Sequence, residues 1–145
     1  MVGWEALANN FTRVYVEGAD GTGKTTLVKK LKEQYNIDAE DRSFITDIVY
    51  RLEDNNLPRE NKTLKDIAKL LDNCIIIYCT HPYCFELSMS RGEENITTRE
   101  RSSKIQYIYM YVMKFIQLYT RATVIQYCWE YDDINNLVKN IKEVL

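Results

Sequence analysis

Residues 18–25 read Gly-Ala-Asp-Gly-Thr-Gly-Lys-Thr, a complete GxxxxGK[ST] phosphate-binding loop, and this stretch decides the expected fold. The backbone N–H groups of such a loop surround a phosphate, the lysine reaches the β- and γ-phosphates, and the last hydroxyl ligates Mg²⁺. We therefore expect ATP and Mg²⁺ as the cofactors. The nucleotide-binding residues that the motif predicts are Gly18, Asp20, Gly21, Thr22, Gly23, Lys24, Thr25 and Thr26.

The sequence on either side of the loop supports this interpretation. Residues 11–17 are mostly β-branched or aromatic, as expected of a buried strand. After Thr25, the apolar residues Leu27, Val28 and Leu31 recur at helical spacing opposite charged ones. Bound phosphates would then lie at a helix N-terminus, where unpaired N–H groups and the helix dipole favour negative charge.

Strand and helix patterns alternate through the rest of the chain, which predicts an α/β fold in a single domain spanning 1–145. We expect three layers, with a small, mostly parallel sheet flanked by helices, as in P-loop NTPases of the nucleoside monophosphate kinase type. The apolar run at 74–80 is expected at the middle of that sheet. The other predicted elements are strands at 37–41 and 122–128 and helices at 44–54, 63–71, 83–90, 102–119 and 134–144.

Composition excludes several other classes of protein. The chain has 145 residues, and 19 basic side chains against 21 acidic ones give no electrostatic reason to expect nucleic acid binding. No signal peptide and no run long enough to span a bilayer is seen, so we expect no membrane association and a cytoplasmic protein, in the host cytoplasm if the source is viral. The chain has four cysteines but no CxxC pair, which favours buried thiols over a zinc site or disulfides.

The residues that phosphoryl transfer requires are cations, a metal holder and an acceptor site, and the chain supplies all three. Lys24 and Thr25 are the first cation and the first Mg²⁺ ligand. Asp41 and Arg42 lie at the C-terminal end of the second predicted strand, at the edge where open α/β sheets bind ligands. Arg42 can hold an acceptor phosphate as a planar fork, and Asp41 can support Mg²⁺ or accept a proton. Lys24, Asp41, Arg42 and Arg91 are the predicted catalytic residues, and Thr25 and Asp41 the predicted metal ligands.

A polar segment near the middle of the chain is the predicted lid. Arg91, Arg99 and Arg101 bracket it, and Gly92 provides a hinge, so we expect a lid-like loop at about 91–101 that carries arginines to the moving phosphoryl group. A solvated surface loop is the alternative.

The long helix predicted from Ser102 carries tyrosines outside its apolar stripe. Tyr107 and Tyr111 lie four residues apart on one face and are candidates for stacking on the acceptor base, with ordinary packing as the alternative. The helix is also a candidate homodimer face. Its expected apolar stripe consists of Ile105, Ile108, Tyr109, Val112, Ile116 and Tyr119.

The segment from Val16 to Thr26 resembles the start of thymidylate kinases, whose loops typically read EGxDGxGKTT. Asp41-Arg42-Ser43 is similar to the DR motif of that family and to the ERS motif of deoxynucleoside kinases. Thr80-His81-Pro82, followed by Arg91-Gly92-Glu93-Glu94, resembles the segment that leads to their lid. The whole outline is most similar to small phage-type deoxynucleoside monophosphate kinases.

This resemblance implies ATP- and Mg²⁺-dependent phosphoryl transfer to a deoxynucleoside monophosphate, with Asp20 near the sugar of the acceptor. The chain departs from thymidylate kinases because it is shorter, lacks an REPGG-like segment and has its DR pair after the second strand instead of the third. The thymine pocket is therefore not carried over. Two alternatives stay open: a deoxynucleoside kinase with Glu40 or Asp41 as general base, and a nucleotide-binding module without catalysis.

Overall fold

A sheet of four parallel strands organises the described residues, which in this computed structural model are 13–54, 71–92 and 96–145. The strands are Val14–Glu17 (β1), Ala39–Asp41 (β2), Ile75–Cys79 (β3) and Thr123–Tyr127 (β4), and they lie side by side in the order β2-β1-β3-β4. Every neighbouring pair is parallel. The chain is thus α/β, and the apolar run at 74–80 forms an inner strand of the sheet, as predicted.

Helices connect and cover these strands. The helices of the described residues are Lys24–Tyr35 (α1), Phe44–Glu53 (α2), Cys84–Ser90 (α3), Arg99–Tyr119 (α4) and Ile134–Val144 (α5). Most of the helix predicted at 63–71 lies outside the described residues.

The sheet separates two apolar clusters because successive side chains of a strand point to opposite faces. Ile76 of β3 belongs to the cluster that α2 and α4 cover. Ile75 and Ile77 belong to the cluster that α1 and α5 cover. Both faces are therefore buried, which accounts for the uninterrupted apolar sequence of β3.

The strand order fixes the place of the loop. The chain passes from β1 to β2 on one side and returns to β3 on the other side of β1, so the order reverses between β1 and β3. Ligands of open parallel sheets bind at such a switch point, beyond the carboxyl ends of the strands. Residues 18–23 follow β1 at this point, and Arg42 and Thr80 follow the two strands beside it.

Two details of α4 differ from prediction. The helix begins at Arg99 because the Thr98 side chain caps it, accepting a hydrogen bond from the N–H of Arg101 at 3.3 Å. Arg99 and Arg101 are thus helical instead of lying in a loop. The predicted apolar stripe is also wrong at its end, because Tyr119 is exposed beyond the core and Met113 is buried instead.

The cysteines and the apolar character of the helices bear on two further predictions. The four cysteines are buried thiols and form no disulfide with one another, as predicted. In the described part of the chain, no helix combines the length and the apolar character that crossing a bilayer requires.

Candidate functional site

The loop after β1 is held by close backbone packing on β3 and α3. A Cβ atom at Gly18 would overlap the carbonyl oxygen of Cys79, and one at Gly21 would overlap the carbonyl oxygen of Cys84. Gly21 also has a φ of 83°, in the left-handed region. These positions therefore require glycine, both for contact and for conformation.

Lys24 is the first residue of α1, and its ammonium group turns back over the loop. It donates hydrogen bonds to the carbonyl oxygens of Gly18 and Ala19, the latter at 3.1 Å. The carboxylate of Asp20 lies 3.9 Å away, and the residue is only 7% exposed. The cation is therefore held over the loop, where the motif predicts a phosphate.

The surroundings of Lys24 shift the pKa of its ammonium group in opposite directions. Burial lowers the pKa of its ammonium group, and the nearby Arg42 guanidinium lowers it further. The groups that raise it are the carboxylates of Asp20, Glu17 and Asp41. Additional negative charge at the loop would favour the protonated form.

The two predicted metal ligands lie together. Thr25, in the first turn of α1, donates a hydrogen bond of 3.1 Å from its hydroxyl to Oδ2 of Asp41, the last residue of β2. A hydroxyl and a carboxylate are oxygen ligands that suit Mg²⁺, which commonly takes one or two carboxylates together with water and substrate phosphates. Within the ranges that the structure describes, no three His, Cys, Asp or Glu side chains gather as a metal cluster. The pair therefore fits an ion whose other ligands come from phosphate and water.

Arg42 and Asp20, the predicted acceptor-binding residues, also meet. The guanidinium Nη2 of Arg42 donates to Oδ1 of Asp20 at 3.1 Å. The backbone N–H of Arg42 donates to the carbonyl oxygen of Val16 at 2.9 Å, so the residue stays attached to β1 beyond the end of β2. Asp20 thus lies between two cations, Lys24 and Arg42.

Glu17 is a site residue that the sequence reasoning missed. It ends β1 and is fully buried, and its Oε1 accepts a hydrogen bond of 2.6 Å from the Thr46 hydroxyl. Its Oε2 accepts one of 3.2 Å from the Ser43 hydroxyl, and Tyr109 donates to Thr46 at 3.3 Å. Burial raises the pKa of Glu17, although these hydroxyls and Lys24 counteract it. A charged residue at the end of an apolar strand was the available signal.

A cavity of about 200 Å³ opens beside the start of α1. The Trp129 indole forms one wall and lies against the loop, since a Cβ atom at Gly23 would be 2.9 Å from its Cδ1. Arg91, which caps the C-terminus of α3, lines the same cavity. The full lining is Gly23, Thr26, Leu27, Lys30, Arg91, Tyr127, Trp129 and Ile134.

His81 packs against the Trp129 indole, which forms one wall of the cavity. It is buried, and its Nδ1 accepts a hydrogen bond from the N–H of Tyr83 at 3.0 Å, so Nε2 carries the proton and donates to Glu130 at 2.7 Å. The imidazole stacks on Trp129 with 5.3 Å between ring centroids. These contacts give His81 a structural role after β3.

The other two predicted lid arginines hold helices together. Arg99 forms an ion pair with Glu86 of α3, and its guanidinium lies 5.1 Å above the Phe85 ring. Arg101 donates twice to the Glu53 carboxylate of α2, at 2.8 and 3.0 Å. Of the three arginines, Arg91 is therefore the one that the structure brings to the cavity beside the loop.

The predicted stacking tyrosines are mostly in solvent, with Tyr107 64% and Tyr111 55% exposed. The residues of α4 that line a small cavity against the loop are Gln106 and Tyr109, together with Thr22 of the loop. A base-stacking role for Tyr107 and Tyr111 stays a prediction.

A scan of the chain against protein-family models finds no match, and a search of curated proteins finds none either.

Proposed function

We propose that the protein is an ATP- and Mg²⁺-dependent kinase that transfers a phosphoryl group to a deoxynucleoside monophosphate. The observation that carries the proposal is the convergence of Lys24, Asp20 and Arg42 beside the Thr25–Asp41 pair. Two cations flank one carboxylate at the ends of adjacent strands. That arrangement suits two phosphate groups that must approach each other.

The donor half of the proposed site is the loop and the start of α1. The loop amides and the helix N-terminus favour the β- and γ-phosphates, and Lys24 exchanges its carbonyl contacts for phosphate oxygens. The cavity against Trp129 suits the donor base, because an exposed indole face offers stacking and the cavity opens next to the loop. Arg91 lines the same cavity and brings a third cation toward the donor.

The metal ion would be held by Thr25 and, directly or through water, by Asp41. Mg²⁺ supplies charge neutralisation across the donor phosphates during transfer. The Thr25–Asp41 hydrogen bond supports this assignment, because it brings the two predicted ligands together at the first turn of α1.

The acceptor half of the proposed site is Arg42. Its side chain is 45% exposed, so part of the guanidinium fork is accessible beside its contact with Asp20. A planar fork pairs well with phosphate oxygens, which favours a monophosphate acceptor over an uncharged nucleoside. Asp41 is a poorer candidate for the general base of a nucleoside kinase, because its carboxylate is directed at Thr25.

The proposal is tested by a phosphoryl-transfer screen over the deoxynucleoside monophosphates with ATP and Mg²⁺. Lys24→Ala and Arg42→Ala should each lower kcat/KM by about 100-fold or more, because each removes charge stabilisation of the transferring group. Lys29→Ala, at an exposed position of the same helix, and Arg51→Ala, in an exposed ion pair with Asp47, are matched controls that should change little.

Each other result of the screen has a definite meaning. Product from nucleosides but not from monophosphates would make the protein a deoxynucleoside kinase. ATP binding without any product would make it a nucleotide-binding module. An unchanged acceptor KM in Arg42→Ala would show that Arg42 does not bind the acceptor.

A further inference from the structure

We propose that Glu17 is a positioning residue that fixes the backbone at Arg42 through Ser43 and thereby orients the Arg42 guanidinium toward the acceptor. The part of this inference that concerns the acceptor rests on the proposed function. The part that concerns the backbone does not, because it can be measured without turnover.

The backbone at Arg42 needs such support. Its φ is 71°, in the left-handed region that residues with a Cβ atom adopt only when surrounding contacts hold them there. On one side Asp41 is fixed by the Thr25 hydroxyl, and on the other side Ser43 is fixed by Glu17. The Arg42 N–H is itself bonded to Val16, the residue just before Glu17 in β1.

Ser43 performs two separable tasks. Its hydroxyl oxygen caps α2 by accepting a hydrogen bond of 3.1 Å from the N–H of Ile45. Its hydroxyl hydrogen is donated to Oε2 of Glu17. The second oxygen of Glu17 is occupied by Thr46, so the carboxylate joins the end of β1 to the first turn of α2 at two points. A buried carboxylate with two directed donors is a rigid anchor.

These two tasks can be separated by substitutions of nearly equal size. Ser43→Asn keeps both, since the amide oxygen caps the helix and the amide N–H₂ donates to Glu17. Ser43→Asp keeps only the cap, because a carboxylate cannot donate and repels Glu17. Asp and Asn are both strong helix caps, so a difference between the two variants does not arise from the cap, and the double variant below tests whether it arises at Glu17.

We expect Ser43→Asp at pH 8 to raise the acceptor KM by roughly tenfold or more and to leave the ATP KM within about twofold, with Ser43→Asn close to wild type. Adding Glu17→Gln to Ser43→Asp should restore the acceptor KM. In this double variant the glutamine amide donates to the aspartate carboxylate, and its oxygen still accepts from Thr46. A general loss of stability would move both KM values and would not be repaired by the second substitution.

The backbone readout is hydrogen exchange of the Arg42 amide, measured by NMR against the β3 amides as internal reference. Exchange should be at least roughly tenfold faster in Ser43→Asp and near wild type in Ser43→Asn and in the double variant. Unchanged exchange in Ser43→Asp overturns the inference, whether or not the protein is a kinase. In an active enzyme, faster exchange with an unchanged acceptor KM also overturns it. An inactive wild type instead refutes the proposed function, and the exchange rates alone then decide whether Glu17 fixes Arg42.

Discussion

Two buried ionisable side chains, Glu17 and Lys24, lie on either side of the loop, and each is charged at a cost. Burial raises the pKa of Glu17 and lowers that of Lys24, so each shift disfavours the charged form. Hydroxyl donors offset this cost at Glu17, and loop carbonyls together with three carboxylates do so at Lys24. An apolar side chain would be buried at a lower free-energy cost, so we infer that the site uses the charge of both groups.

Glu17→Gln should therefore change the dependence of stability on pH. The folded pKa of Glu17 is raised above its ordinary value of 4.5, so the folded chain holds this proton more tightly than the unfolded chain does. The free energy of unfolding then falls as pH rises from about 4.5 through the folded pKa, and the uncharged amide of the variant removes this loss. We expect the stability of the variant relative to wild type to increase from about pH 4.5 to pH 8 in urea unfolding.

The control for this measurement is Glu33→Gln, which removes a carboxylate from an exposed position of α1. A stability difference between Glu17→Gln and wild type that stayed constant across this pH range would mean that burial does not govern the titration of Glu17.

The ends of the helices decide which arginines reach the site. Arg91 stands at the C-terminus of α3, beside the cavity at the start of α1. Arg99 and Arg101 belong to the first turn of α4, where they pair with carboxylates of α3 and α2. The same type of side chain thus lies either beside the cavity or in an ion pair between helices, according to the element that carries it.

Replacing each of the three arginines by alanine tests this division. Arg91→Ala should lower kcat/KM for ATP by about tenfold or more, because it removes a cation next to the donor. Arg99→Ala and Arg101→Ala should stay within about threefold, because their ion pairs join helices and do not lie beside the cavity. Steady-state kinetics with varied ATP provides the comparison. Equal losses at all three positions would instead support the predicted lid, in which all three arginines act on the moving phosphoryl group.

Sequence patterns predicted the elements whose signals are local and missed the features that depend on distant residues. The order of strands and helices followed from apolar spacing, and the helix predicted at 44–54 begins at Phe44 as predicted. The start of α4 was predicted too late in the chain, although Thr98 as a cap with Glu100 in the first turn is a local signal for a helix start. The anchoring of Glu17 was not predicted. Its partner Thr46 comes from α2, and Tyr109, which donates to Thr46, comes from α4, so apolar spacing along the chain does not pair these residues.

The structure brings some of the predicted site residues together and not others, for the same reason. Lys24, Thr25, Asp41 and Arg42 come together because they lie at the carboxyl ends of two adjacent parallel strands, and the alternation of strands and helices predicted a mostly parallel sheet. The orientation of Tyr107 could not be inferred, because a face of a single helix does not reveal what packs on it.

The candidate site draws residues from both faces of the sheet. Helix α1 packs in the cluster that it shares with α5, whereas Ala19 of the loop and Tyr109, which contacts Thr46 of the Glu17 anchor, belong to the cluster covered by α2 and α4. A nucleotide that bridges Lys24 and Arg42 would therefore join contacts from both layers.

We expect such a ligand to stabilise the whole domain. A ligand that binds only the folded chain adds about 2.7 kcal/mol when present at about 100 times its Kd. For a domain of this size, this corresponds to a rise in Tm of about 5 to 10 °C, which scanning calorimetry with ATP and Mg²⁺ would measure. Lys24→Ala should lose most of the rise, and Lys29→Ala should keep it. No rise in the wild type at saturating ATP would contradict nucleotide binding altogether.

The packing of the loop on β3 and α3 has a consequence for the order in which the protein is made. The glycines that form the loop, Gly18 and Gly21, lie in the first part of the chain, and the backbone carbonyls that they approach belong to Cys79 and Cys84. A ribosome therefore releases the phosphate-binding motif well before it has translated the strand and helix on which that motif rests. The nascent first half lacks the backbone carbonyls against which the loop packs, so the loop reaches its folded conformation late in translation, when β3 pairs with β1.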